Sequence, residues 1–112
     1  MKVVTREELP NAVILAVDGN LEGGPHADQF YEAIRKAVDA GKKHVLVDLG
    51  QAKRSNSAGL GILIRGYVTM QNHGGSLRVF NCSEHVDHMF KITRFNQIIE
   101  IRDNEAEARK GL

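Results

Sequence analysis

Two runs near the amino end, Val3 to Glu8 and Ala12 to Asp18, read as strands, and Leu9-Pro10-Asn11 between them is short enough to close an antiparallel hairpin. The period then changes. Ala27, Phe30, Tyr31, Ile34, Ala37 and Val38 fall on one face of an α-helix, which Gly41 ends. His44 to Leu49 is a short β-branched run, apolar enough to form a buried central strand. From Ser57 a helical pattern returns, with Leu60, Leu63, Ile64, Tyr67, Val68 and Gln71 sharing a face and Gly74-Gly75 stopping it. Leu77 to Phe80 reads as a strand, and Glu84 to Thr93 as a helix with Val86, Met89 and Phe90 turned inward. Ile98 to Ile101 reads as a last strand, and Asn104-Glu105-Ala106-Glu107 as a capped start of a short helix.

The order is therefore β-β-α-β-α-β-α-β-α. Such alternation predicts an α/β fold with a mixed, mostly parallel sheet, because parallel neighbours need crossover connections and about four helices are present to supply them and cover the sheet. No linker or repeat divides the 112 residues, so one domain spanning 1–112 is expected. The functional loops of such sheets lie at the carboxyl ends of the strands, which directs attention to the segment after Leu49.

Composition narrows the function classes. Fifteen Lys and Arg against fourteen Asp and Glu leave a net charge of +1, so no broad positive field points to a nucleic acid. The apolar run Ala12 to Val17 is far below the ~20 residues a spanning helix requires, and the start lacks a signal-peptide pattern. A cytoplasmic protein with no direct membrane insertion is the expectation. The lone Cys82 forms neither an internal disulfide nor a multi-cysteine zinc site. Asn81-Cys82-Ser83 matches a glycosylation acceptor only formally.

The stretch Asn56-Ser57-Ala58-Gly59-Leu60-Gly61 opens the second helix. Read physically, Asn56 or Ser57 is an N-cap, and the small neighbours leave a hydroxyl exposed at a helix N-terminus, where an added anion is electrostatically favoured. Lys53 and Arg54, with Lys42 and Lys43, follow strand or helix ends and read as a solvated rim or, clustered beside Ser57, as a basic patch that steers an acidic partner or steadies a phosphate. Ile62 and Met70 lie off the main inward face, which predicts packing for Met70 and a docking role for Ile62 nearer the Ser57 end.

Val45-Leu46-Val47-Asp48-Leu49, Asn56 to Leu63 and Gly74-Gly75-Ser76-Leu77-Arg78-Val79 together resemble the STAS domain of bacterial anti-sigma factor antagonists. The likeness extends to Gly19-Asn20-Leu21-Glu22 and to Ile92 through Ile99. In that family the loop usually reads Asp-Ser-Ser/Thr-Gly-Leu-Gly, and its first Ser, matched by Ser57, is phosphorylated by an anti-sigma factor that is also a serine kinase. The resemblance implies a phosphorylation-controlled switch rather than an enzyme. Unphosphorylated, the protein binds the anti-sigma factor and frees a sigma factor for transcription, and a metal-dependent serine phosphatase resets it. The partner surface implied comprises Glu22, Lys53, Arg54, Asn56, Ser57, Ala58, Gly59, Leu60, Gly61 and Ile62, with no cofactor or metal and a monomer or weak homodimer. Three positions depart from the pattern: Asn56 replaces Asp, Ala58 replaces the second hydroxyl residue, and Arg94 stands where Gly is common.

Other chemistries fit less well. A hydrolase nucleophile at Ser57 needs a Gly-x-Ser-x-Gly turn and an activating base, but Ser55 occupies the first Gly position. Gly59, Gly61 and Gly66 do not form a dinucleotide fingerprint. His85 and His88, three apart, read as solvent-facing residues opposite Val86, Met89 and Phe90 rather than as metal ligands. A rival with the same fold is a STAS-type adaptor of a lipid-transport or membrane-transporter assembly without a phosphoswitch, in which Ser57 is a polar interface residue.

Overall fold

The structure is a computed structural model that describes residues 1–25 and 27–112. Five strands form one sheet in the order β1-β2-β3-β4-β5: Lys2–Leu9, Ala12–Asp18, His44–Gln51, Ser76–Phe80 and Glu100–Arg102. The first two pair antiparallel and the rest are parallel, as the hairpin and the alternating order require. Sequential order combined with right-handed crossovers puts every connecting helix on one face of the sheet. Helices α1 (Ala27–Asp39), α2 (Ser57–Asn72) and α3 (Glu84–Ile92) accordingly share the main core with Val13, Leu15, Val17, Val45, Val47, Leu77 and Val79. The alternate residues Ile14, Leu46 and Phe80 point to the other face, which the short α4 (Glu105–Ala108) covers.

The buried face of α2 differs from the one its apolar residues predict. Gly59, Leu60, Ile62, Leu63, Gly66 and Met70 are buried, whereas Val68 is 47% exposed. The reason is close approach. A Cβ at Gly66 would lie 2.6 Å from the Phe30 ring of α1, and a Cβ at Gly59 would run into the Leu21 carbonyl. Glycine thus marks the face where α2 comes nearest its neighbours, and an apolar pattern does not register it. Ile62, expected to be part of a docking surface, is turned into the core at 4% exposure, while Met70 packs as anticipated.

The last strand also starts later than its isoleucines predict. A 3₁₀ turn, Phe95–Gln97, intervenes, Ile98 is left exposed, and pairing begins only at Glu100. Arg94 enters that turn with φ of 59°, in the left-handed region where a side chain is strained. A glycine, which the resemblance implies at this position, adopts such a φ without that strain. Phe95 then stacks on Phe90, their ring centroids 4.6 Å apart, and so anchors the turn to α3.

Two measurements check this account. Arg94→Gly relieves the left-handed strain and is expected to raise unfolding stability by about 1 kcal/mol or slightly less in denaturant titration. Gly59→Ala forces the Leu21 carbonyl aside and is expected to lower stability by about 2–3 kcal/mol, with the loop after β2 losing amide protection first.

Candidate functional site

Three loops meet at the carboxyl ends of the parallel strands, and hydrogen bonds stitch them into one surface. Leu21, just beyond β2, forms a parallel bridge with Ser55 in the loop after β3: its N–H donates to the Arg54 carbonyl (2.9 Å), and its carbonyl accepts from Asn56 N–H (3.3 Å). Arg54 N–H donates to Asn20 Oδ1 at 3.2 Å. The third loop joins through Ser83, whose Oγ donates to the Lys53 carbonyl (3.1 Å) while accepting from Val86 N–H (3.2 Å) to cap α3. Asp48 Oδ1, at the end of β3, accepts from Gly50 N–H (2.9 Å) and Asn81 Nδ2 (3.2 Å). Asn20, Leu21, Asn81 and Ser83 are the supports that sequence reasoning missed. Asn20 and Leu21 are signalled by the resemblance over Gly19 to Glu22, whereas the advance signal of Asn81 and Ser83 is their place, polar residues directly after a strand.

On this base α2 begins. Asn56, in extended conformation, is the N-cap, and its Oδ1 accepts from Gly59 N–H at 2.9 Å. The Asn56 and Gly59 amides are thereby occupied, which leaves those of Ser57 and Ala58 as the free donors of this helix end among the described residues. Ser57 itself is exposed, and its hydroxyl makes no hydrogen bond among those residues. Ser55, the other hydroxyl of the loop, is half-buried and donates to the Asn56 carbonyl at 3.3 Å. Ala58 is exposed but held from the side: a Cβ at Gly23 would stand 2.7 Å from the Ala58 methyl. The loop after β2 therefore lies flush against the first turn of α2. Gly61 is exposed, with open space where a side chain would be.

Of the residues singled out from sequence, Glu22, Lys53, Arg54, Asn56, Ser57, Ala58 and Gly61 are exposed on or beside these loops. Gly59, Leu60 and Ile62 are buried and act as the seat of the helix. Lys42 and Lys43 are separated from the rest. They precede β3 at the amino ends of the strands, where Lys42 Nζ donates to the Leu9 carbonyl (2.6 Å) and the Lys43 carbonyl accepts from Ser76 N–H (2.8 Å). His85 and His88 are exposed on α3. Burial, helped by nearby Asp87, pushes the Cys82 thiol up to about 12, so it is an unreactive packing residue. No helix among the described residues is long and apolar enough to cross a membrane.

Several known proteins are similar to this chain. The BtrV protein of Bordetella bronchiseptica, named for an anti-sigma factor antagonist role, is 24% identical over 105 residues, covering 94% of this chain and 90% of its own. Among solved structures, the Bacillus anti-sigma factor antagonist SpoIIAA is similar in its unphosphorylated form (TM-score 0.72, 16% identity, 95% of this chain and 92% of that one). Its phosphorylated form is similar to almost the same degree (TM-score 0.70, 15% identity, 95% of each chain). A sulfate transporter family protein from Wolinella succinogenes shares the fold as well (TM-score 0.78, 13% identity, 92% of this chain and 85% of that one). The family model described as the STAS domain matches residues 3–108, from the first strand through the last helix, and the chain belongs to the STAS domain family.

Proposed function

We propose that this protein is an anti-sigma factor antagonist that switches partners through phosphorylation of Ser57. The observation that carries the reading is the state of that hydroxyl: exposed, without a hydrogen-bond partner among the described residues, and set at the first turn of α2 between small residues. A kinase reaches such a group without unfolding anything. The names of the relatives support the same role, and one of them, SpoIIAA, has been solved in both unphosphorylated and phosphorylated forms.

In the unphosphorylated form the flush surface of Ala58, Gly61 and the loop after β2 seats the anti-sigma factor serine kinase, which then releases its sigma factor. Phosphorylation adds about −1.5 to −2 charges at the centre of that seat. The added group takes the free amides of Ser57 and Ala58 and the positive end of α2, so it is well accommodated by its own protein. For the partner, the same group is bulk and desolvated charge. Losing about 3 kcal/mol of binding energy weakens a complex more than a hundredfold, so the domain itself has no need to rearrange. A metal-dependent serine phosphatase restores the hydroxyl.

A second reading keeps the fold and discards the switch, as an adaptor in a transporter assembly. The likeness to the Wolinella sulfate transporter family protein favours it, as does the replacement of two motif residues by Asn56 and Ala58. Incubation with the anti-sigma factor kinase and ATP, followed by mass spectrometry, separates the two. The expected result is one phosphate, on Ser57; phosphate confined to other residues overturns the switch.

Ser57→Asp is expected to weaken anti-sigma factor binding by about a hundredfold in calorimetry with an unchanged circular dichroism spectrum. Reversing the exposed charges of Lys53 and Arg54 is expected to slow association by about tenfold at low salt, with little change in dissociation, measured by stopped-flow mixing.

A further inference from the structure

The two faces of the sheet are closed by different forces. Three helices pack apolar stripes on the first, whereas on the second Ile14, Leu46 and Phe80 are fully buried under α4, whose apolar contribution is Ala108. Leu9 of β1 adds partial cover from the side. A four-residue helix has too few backbone hydrogen bonds to persist without tertiary support, and one methyl group supplies little.

What holds α4 down is charge. Arg6 of β1 pairs with Glu105 at 2.5 Å, and Arg109 pairs with Glu7 of β1 at 2.5 Å and with Glu105 at 2.7 Å. Arg6 also lies 3.6 Å from Asp48 of β3. From β4, Arg78 is only 9% exposed, and its Nη1 donates to the carbonyls of Ala108 (2.8 Å) and Lys110 (2.7 Å). Its Nε faces the Glu100 carboxylate at 3.1 Å without hydrogen-bond geometry. The hydrogen bond from Arg6, with the Arg109 contacts, holds the Glu105 carboxyl below its usual range. The pairs that Arg6 and Arg109 make with Glu7 and Glu105 are partly open to water, with side chains between 32% and 44% exposed, so dissolved ions screen them.

We propose that α4 is a charge-held strap over the patch of Ile14, Leu46 and Phe80, which rising ionic strength opens locally while the sheet and the three large helices stay folded. The apolar second face is then accessible only when the strap is released. This device is separate from the Ser57 surface and stands whether or not that serine is phosphorylated.

The test places a thiol beneath the strap with Ala108→Cys and follows its reaction with an uncharged maleimide, which salt does not steer. Cys82, partly buried against the core of the other layer with its thiol pushed up to about 12, serves as the internal reporter of wider opening. Labelling of the introduced thiol is expected to accelerate about tenfold between about 0.05 M and about 1 M NaCl while that of Cys82 does not. Adding Glu105→Gln, which cuts two of the pairs, is expected to bring the low-salt rate close to the high-salt one. Labelling that keeps step with Cys82 at every salt concentration, or that ignores salt, overturns the proposal. Should Ala108→Cys fail to fold, hydrogen exchange at the Arg109 amide of the unaltered chain gives the same answer. Exchange that rises with salt ahead of β3 supports the strap, and protection equal to that of β3 throughout overturns it.

Discussion

Everything at the proposed partner surface depends on how closely α2 settles on the loop after β2. The contact is between backbones: Gly59 has no side chain because the Leu21 carbonyl occupies the place where one would stand, and that same carbonyl accepts from Asn56 N–H. A helix start is usually steadied by side-chain caps worth about 1 kcal/mol each. Here the Asn56 cap is reinforced by a bridge from a neighbouring strand end, and the loop after β4 is tied in through Ser83. The first turn of α2 is thus fixed on three sides. Its remaining outward side presents Ser57.

That arrangement explains what was and was not legible in the sequence. The second strand, the central strand read as His44 to Leu49 and α1 declare themselves in the sequence, since their buried faces are made of large apolar side chains, while β1, with no buried residue, follows from the short turn that pairs it with β2. The orientation of α2 does not. Its buried face carries Gly59 and Gly66, seven residues apart and so on the same side of the helix, and at each a neighbour fills the volume a side chain would have claimed. A reading that counts only apolar residues turns the helix toward Val68 and leaves Ile62 outside. The spacing of the glycines was the usable clue. Similarly, Ile98 to Ile101 looks like a strand by composition, but the tight turn at Arg94 consumes residues before pairing starts.

The two sheet faces show why local charge is hard to read in advance. Arg6, Glu7, Glu105 and Arg109 are far apart in the chain and ordinary in composition, yet the hairpin and the return of the chain after β5 bring them together over Ile14, Leu46 and Phe80. Isolated pairs of this exposure contribute little to stability. Their weight comes from what they position, since the helix they clamp supplies one alanine to a core that would otherwise meet water.

The same contrast bears on how a phosphate could act at Ser57. A switch that works by rearrangement needs an element with two arrangements of similar free energy. The first turn of α2 is a poor candidate, because moving it breaks the Leu21 bridge and opens the tight contacts of Gly23 and Gly59 together. A switch that works by changing what the surface can touch has no such requirement. The free amides of Ser57 and Ala58 favour the added charge in the protein's own frame, while a partner that fits against a small, uncharged corner meets a bulky anion there. The rigidity of the seat is therefore part of the proposed mechanism: it prevents the loop from yielding to the phosphate, so the partner must.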